Sequence, residues 1–434
     1  MKQREARGNG ERIAILGLGY VGLPLALAFA EAGHTVIGYE ISQERVALVN
    51  AGYSYIDDIA SERLAAVVEQ RCLLATSEPA DLRSASAVII CVPTPLTKQR
   101  IPDMRWVEHA AKVIAGELQP GQLIVLESTT YPGTTNELLV PILETSGLTA
   151  GTDFSVAFSP ERVDPGATSS SGFNIRNTPK IVGGLTTACT DRAVALYGSV
   201  VDQVVPVNSP HIAEMAKLFE NIFRNVNIAL VNELTMLCHK MDLNVWEVLD
   251  AAGTKPFGFM KFSPGPGVGG HCIPVDPFYL TWKAREYGVH TRFIELAGEI
   301  NDSMPSYVVS RITDALNVQQ KSLNGSSILA IGVAYKPNIS DIRESPALRV
   351  LEELIQVGAA VRFHDPHVAQ VSIANEALYS VPLTAAEIAD ADCVVILTDH
   401  DAIDYGLISD NAELVVDTRR RIARRQTEAV VRVL

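Results

Sequence analysis

Apolar positions along the chain follow two periods, and the switches between them divide it. Ile13 to Leu16 is a short unbroken apolar run. A helix-like segment, Leu23 to Ala32, follows and closes at Gly33, and His34 to Glu40 reads as a second strand with an acidic end. Strand-like runs at Ala87 to Val92 and Leu123 to Leu126, near Ile181 and at Gln203 to Val207 continue the alternation to about residue 208. From Ser209 the period lengthens. Met215, Phe219, Ile222, Val226, Leu230, Leu234 and Leu237 step by three or four, which predicts one apolar stripe on a long helix. Val245 to Gly253, Asp276 to Arg285 and Phe293 to Met304 also read as helices. A second alternation then begins. Ser327 to Val333 reads as a strand, Pro346 to Val357 as a helix and Ala360 to His364 as a strand ending at Asp365; strands Cys393 to Leu397 and Leu414 to Asp417 follow. The expected fold is α/β: two Rossmann-like, doubly wound domains, 1–208 and 321–434, joined by a helical domain, 209–320, with a long central helix.

The first strand–turn–helix carries a complete dinucleotide fingerprint, Gly17-x-Gly19-x-x-Gly22, with Tyr20 and Val21 inside the turn. Gly17 permits the tight turn, Gly19 lets a pyrophosphate touch the backbone at a helix N-terminus, and Gly22 brings helix and strand together. Glu40 lies 18 positions past Gly22, where a carboxylate can accept hydrogen bonds from ribose hydroxyls. It would repel a 2′-phosphate, so NAD is expected rather than NADP. Arg45 is the one nearby cation; the alternative for it is the exposed face of the next helix. In the second unit Gly332 stands without the glycine triplet, so that unit is expected to hold a different ligand, or a nucleotide held differently.

Between the two units lies Pro264-Gly265-Pro266-Gly267-Val268-Gly269-Gly270-His271-Cys272-Ile273-Pro274-Val275-Asp276. It is too rich in Gly and Pro for a helix or a central strand, and such a backbone lets a ligand approach closely. A cysteine held there can act as a covalent nucleophile. The competing reading is a structural loop with a buried thiol. Lys217, Asn221 and Arg224 share one face of the long helix, and Asn221, Asn225, Asn227 and Asn232 crowd it although Asn is a mediocre helix former. Such a face can stabilise an oxyanion, or it can simply be solvated opposite the apolar stripe.

At 434 residues the chain is too long for one core, so two or three domains are expected. A net charge of −14 argues against nucleic acid or an anionic membrane as partner. No apolar run approaches the ~20 residues that span a bilayer, so no membrane insertion is expected. The polar opening segment has no apolar signal core behind it and is expected to be a disordered arm. Six scattered cysteines without a CxxC pair suit a reducing cytosol and argue against a zinc site.

Seven stretches together carry a family resemblance: Gly17 to Pro24, Cys91 to Pro95, Glu127 to Thr129, Ser159 to Pro165, Ala213 to Leu218, Gly269 to Cys272 and Asp341 to Pro346. On these the chain resembles the UDP-glucose/GDP-mannose dehydrogenase family. The resemblance implies oxidation of a sugar C6 hydroxyl to the carboxylate with two NAD+ and one water. It implies that Cys272 attacks the C6 aldehyde and passes through a thiohemiacetal and a thioester. Lys217 and Asn221 would stabilise the oxyanion, Asp276 and Thr129 would position or activate water, and Glu161 would assist at the thioester. Thr94 and Thr129 would line the NAD cleft with Tyr20, Val21 and Arg45, and Arg343 would reach the cofactor from the C-terminal domain. Glu161, Arg162 and Val163 would lie against substrate or nicotinamide. Arg224, Lys255, Gly267 and Gly269 would contact substrate, and Tyr335 and Lys336 would hold its nucleotide end. The connector helix would form a homodimer core. His271 is given no role beyond packing or orienting the loop, and the structural alternative for Arg343 is a pair with Glu344 across the turn before Pro346. The segment from Thr254 to Met260 and the Pro264 to Gly267 loop look most like the branch acting on UDP-N-acetylglucosamine, with the UDP-N-acetylmannosamine branch close behind and UDP-glucose less favoured. Two positions depart from the family: Glu40, where many members have Asp, and Pro337, where many have a second Lys.

Overall fold

The computed structural model describes residues 10–56, 59–97, 99–163, 172–422 and 430–434. Most of the N-terminal arm, and Asp164 and Pro165 of the Ser159 to Pro165 stretch, lie outside the described residues. The chain forms two compact units. One holds the residues up to Glu220 together with Phe278–Val289; the other holds Asn221–Pro277 and His290–Leu434.

The first unit contains strands β1 (Arg12–Leu16), β2 (Thr35–Tyr39), β3 (Leu73–Thr76), β4 (Ala87–Ile90), β5 (Leu123–Leu126), β6 (Ser155–Phe158), β7 (Lys180–Gly184) and β8 (Val204–Val207). They form one sheet in the order β3-β2-β1-β4-β5-β6-β7-β8, parallel except for the antiparallel β6–β7 pair. Ile13 and Ile15 face one core and Ala14 and Leu16 the other, so β1 is buried on both sides. That explains why the strand reads as an unbroken apolar run instead of an alternation. The sheet order reverses between β1 and β4, the switch point at which doubly wound sheets bind ligands beyond the carboxyl ends of their strands.

The second unit contains β9 (Ser327–Ile331), β10 (Ala360–His364), β11 (Gln370–Ile373), β12 (Glu376–Tyr379), β13 (Cys393–Ile396), β14 (Leu414–Asp417) and β15 (Val430–Val433). β10-β9-β13-β14-β15 form a parallel sheet, and β11–β12 is a separate antiparallel hairpin. The predicted strand from Ser327 ends at Ile331, because Gly332 turns the chain at φ +80 where an added Cβ would lie 2.6 Å from Thr398. Together the elements make an α/β protein with two Rossmann-like sheets and helices between them in the chain.

Two helices differ from their sequence patterns. The expected stop at Met304 is passed: one helix runs Arg292–Val318 with Pro305 inside it. Proline removes the N–H that would bond to the Asn301 carbonyl. The backbone of Gly267 approaches that carbonyl instead, so closely that an added Cβ would lie 3.1 Å from it. The connector helix, Pro210–Lys240, is turned inside out relative to a solvated-face reading. Met215, Phe219, Leu230, Leu234 and Leu237 of the apolar stripe are exposed, whereas Glu214, Asn221, Asn225, Asn232 and Thr235 are buried. Ile222 leaves the stripe for the interior, and exposed Phe223 takes its place.

Candidate functional site

The glycine turn stands at the carboxyl edge of the first sheet. Gly17 adopts φ +89, and a Cβ there would meet the Cys91 carbonyl oxygen at 2.8 Å. At Gly22 a Cβ would lie 1.8 Å from the Gly17 carbonyl oxygen, so helix Gly22–Glu31 packs on the turn only without a side chain. A Cβ at Gly19 would meet no protein atom within 4 Å. The chain's own packing therefore does not demand glycine at Gly19, but a pyrophosphate resting on this turn does.

Glu40, at the end of β2, is buried and accepts the Leu18 and Ser42 N–H groups, each at 3.1 Å. A carboxylate has about four lone-pair sites, so Glu40 can brace the turn and still receive ribose hydroxyls. The turn is further fixed by the Tyr55 hydroxyl, which donates to the Leu18 carbonyl at 2.5 Å. Arg45 lies over the Tyr55 ring at 5.3 Å and 3.8 Å from Glu40, half exposed on helix Gln43–Asn50. These residues fit NAD.

Thr94, Thr129 and Glu161 follow β4, β5 and β6 and so line the same edge. Thr94 is buried, and its carbonyl accepts the Tyr279 hydroxyl at 2.9 Å. Ser128 ties the β5 loop to the β4 loop by donating to the Val92 carbonyl at 2.7 Å. Thr129 is half-buried, and the neighbouring Thr130 hydroxyl is buried with no hydrogen-bond partner among the described residues.

Glu161 is held by three donors: the Arg162 and Val163 N–H groups at 2.9 and 2.6 Å, and the Lys180 ammonium at 3.0 Å. Lys180 is buried and also reaches Glu127 at 3.0 Å, whose other oxygen accepts the Tyr197 hydroxyl. Burial pushes the Glu161 carboxyl up, but the charge of Lys180, the Val163 N–H and the charge of Lys217 outweigh it and hold the group below the usual range. For Glu127 burial wins, and its carboxyl is raised. Burial lowers the Lys180 ammonium, yet its two carboxylate neighbours raise it more. Glu161 is therefore ionised at neutral pH, an acceptor and not an acid. Sequence reasoning gave Glu127 and Lys180 no role. Their type was a signal, since a charge beside an apolar strand pattern must be paired when buried.

Tyr20, Val21, Glu161 and Val163 line one cavity of about 490 Å³. Arg162 is engaged elsewhere, donating to the Pro179 carbonyl at 2.7 Å and pairing with Glu220 at 2.7 Å. Lys217 is half-buried, and its charge reaches Glu161.

In the second unit Cys272 is exposed, the one exposed cysteine among the described residues. Its carbonyl accepts the N–H groups of Val275 and Asp276 at 3.1 and 2.8 Å and so starts helix Asp276–Ala284. Asp276 is buried and accepts the Asn221 amide at 2.5 Å. The glycines of the loop answer to packing. A Cβ at Gly269 would lie 2.7 Å from Tyr335 and 2.8 Å from Pro346, and one at Gly270 would lie 2.7 Å from the Tyr335 ring. The Gly270 N–H donates to the Arg343 carbonyl at 3.0 Å. His271 is lowered by burial and by Arg343, so it is neutral at neutral pH. Arg343 pairs with Asp341 at 2.6 Å, and Glu344 adopts the left-handed region at φ 51. The Lys336 ammonium lies 5.5 Å over the Tyr335 ring. Arg224 is exposed, as is Lys255, which sits 5.0 Å over Phe257.

The second sheet has its own brace. Asp365, at the end of β10, accepts the Val333 and Ala334 N–H groups at 2.8 and 3.1 Å and His400 Nε2 at 3.1 Å. Its other oxygen accepts the His367 and Val368 N–H groups at 2.8 and 3.1 Å. The Asn338 N–H donates to His400 Nδ1 at 2.9 Å, so the ring proton sits on Nε2. Burial raises the Asp365 carboxyl, but His400 and the N–H groups bring it down to about 2. Asp365 holds the position that Glu40 holds in the first unit, yet its oxygens are committed to the protein. Its bonds to Val333 and Ala334 fix the backbone that leads into Tyr335 and Lys336.

Models of the UDP-glucose/GDP-mannose dehydrogenase family match residues 11–201 as the NAD binding domain, 211–303 as the central domain and 329–424 as the UDP binding domain. Protein CapL of Staphylococcus aureus is 39% identical over 355 residues, 81% of each chain. A UDP-N-acetyl-D-glucosamine 6-dehydrogenase of Pseudomonas aeruginosa is 36% identical over 375 residues, 86% of each chain. The solved UDP-D-ManNAc dehydrogenase of Pyrococcus horikoshii superposes with a TM-score of 0.88 at 34% identity, covering 97% of this chain and 98% of that one. No helix among the described residues is long and apolar enough to cross a membrane. With all three of its domain models present in order, the chain is an NAD-dependent nucleotide-sugar dehydrogenase and belongs to the UDP-glucose/GDP-mannose dehydrogenase family.

Proposed function

We propose that the chain oxidises the C6 hydroxyl of UDP-N-acetylglucosamine to the carboxylate, giving UDP-N-acetylglucosaminuronate. The observation that carries the covalent part is the exposure of Cys272, while Cys91, Cys189, Cys238 and Cys393 are buried. The turn from Gly17 to Gly22, Glu40, Thr94 and Thr129 would hold NAD+, which accepts one hydride at each of two oxidations. Between them the Cys272 sulfur adds to the aldehyde carbon, a C–S bond forms and the oxygen takes a proton, giving a thiohemiacetal. Loss of the second hydride, and of the hydroxyl proton to water, leaves a thioester. Water then adds, the C–S bond breaks, the thiolate returns and the acid leaves. Lys217 and the Asn221 amide serve the developing oxyanion. Asp276, fixed by Asn221, and Thr129 orient water, and ionised Glu161 accepts its hydrogen bond. Tyr335 and Lys336 receive the nucleotide end.

A second reading, UDP-N-acetylmannosamine as substrate, draws on relatives so named in Pyrococcus horikoshii and Salmonella typhimurium at 37% and 36% identity. The exposed apolar stripe of the connector helix supports a homodimer, and six scattered cysteines without a CxxC pair support a reducing compartment such as the cytosol. The CapL relative supports use of the product in a capsule or similar surface polysaccharide. The experiment counts NADH per sugar with NAD+ and each UDP-sugar. Two per sugar, fastest with UDP-N-acetylglucosamine, is the expected result. One per sugar would make the chain an ordinary alcohol dehydrogenase, none a binding protein, and faster turnover of the mannosamine epimer would favour the second reading.

A further inference from the structure

Three asparagines of the second unit are buried and joined head to tail. The Gly265 N–H donates to Asn232 Oδ1 at 3.2 Å, and Asn232 Nδ2 donates to Asn301 Oδ1 at 3.0 Å. Asn301 Nδ2 donates to Asn225 Oδ1 at 2.8 Å, and Asn225 Nδ2 donates to the Ile273 carbonyl at 2.9 Å. The three residues are 3%, 0% and 6% exposed for Asn225, Asn232 and Asn301. The direction of the chain is not arbitrary. It begins on a backbone N–H and ends on a backbone carbonyl, so each amide has one orientation that satisfies both neighbours. Its two ends are the start of the glycine loop and the residue next to Cys272. Asn225 and Asn232 are seven positions apart on the connector helix, hence on one face, and Asn301 of the neighbouring helix bridges them.

We propose that Asn225, Asn232 and Asn301 are positioning residues that clamp both ends of the nucleophile loop and hold the Cys272 sulfur in place for aldehyde capture. An apolar core would fill this space without the desolvation cost of three amides. Apolar side chains could not grip a loop made of Gly and Pro, which offers few side chains to hold. The helix presents its leucines outward and its amides inward, as such a clamp requires. This inference rests on Cys272 being the nucleophile.

The test uses Asn301→Leu, which removes the middle of the relay, and Asn225→Asp, which keeps the acceptor for Asn301 and loses the donor to Ile273. Both are assayed beside Cys272→Ala with NAD+ and the UDP-sugar. Cys272 acts only after the first oxidation, so the expected result is specific. Uronate formation falls by about tenfold or more, the scale of a misplaced reacting group. NADH per uronate rises above two, free aldehyde is trapped by hydroxylamine, and NAD+ affinity stays within twofold of wild type. Folded variants that form uronate at the wild-type rate with two NADH overturn the proposal. If they do so while Cys272→Ala is inactive, the clamp alone fails; if Cys272→Ala also makes full uronate, the covalent reading fails with it. Hydrogen exchange on the unmodified protein needs no variant. The Gly265 amide should be strongly protected, and exchange at the rate of an open loop would remove the clamp's first link.

Discussion

Lys180→Met takes away the ammonium that stands 3.0 Å from both Glu127 and Glu161 and leaves two carboxylates facing each other in the core. Lys180 is 4% exposed and Glu127 1%, so water cannot screen the loss. Removing one partner of such a buried pair costs about 3–5 kcal/mol. Each kcal/mol lowers the melting temperature of a unit this size by roughly 2–4 °C, so the first unit should melt about 6–20 °C lower. Lys112→Met is the control, because its 3.6 Å pair with Glu108 lies in solvent. That pair is worth under about 1 kcal/mol. The assay is calorimetry at pH 7 with and without NAD+, followed by the pH profile of turnover. Without Lys180, the Glu161 carboxyl rises, so the acid limb of the profile should move to higher pH. A Lys180→Met protein that melts like the Lys112→Met control, with an unmoved acid limb, would refute the reasoning.

Gly19→Ala and Gly22→Ala should separate ligand contact from packing: the first folds like wild type but binds NAD+ at least about tenfold more weakly, whereas the second loses both stability and binding, as melting curves and NAD+ titration will show. Asp365, at about 2 in the folded protein against 3.8 as a free side chain, contributes about 2 kcal/mol that is fully present above pH ~4 and is lost as pH falls toward 2. The stability gap between wild type and Asp365→Asn, measured by denaturant unfolding, should therefore narrow over that window. Leu230→Glu, placed on the exposed apolar stripe, should reduce the protein to monomers in light scattering while leaving each unit folded.

The first sheet was legible because its strands are buried on both faces and its turn demands glycine for reasons of contact. The run from Ile13 to Leu16 and the glycines at Gly17 and Gly22 leave little freedom. The connector helix was legible as a helix but not in its orientation. Periodicity shows that Leu230 and Asn232 point different ways; it does not show which side meets the protein. Pro305 concealed the length of its helix, since nothing local reveals that Gly267 will accept the freed carbonyl's company. Glu161 and Cys272 were visible as chemistry. The braces of the two sheets were not: Lys180 lies 19 residues from Glu161, and His400 lies 35 from Asp365. Such braces come from the order of strands in the sheet, and strand order is a long-range fact.

Mass spectrometry of the acid-quenched enzyme tests the central claim most directly. Protein mixed with NAD+ and UDP-N-acetylglucosamine and stopped within the first turnover should carry the sugar as a thioester, and fragmentation should place it on the peptide containing Cys272. Uronate formed in full while that peptide stays unmodified at every quench time, and while Cys272→Ala makes it equally fast, would contradict the account.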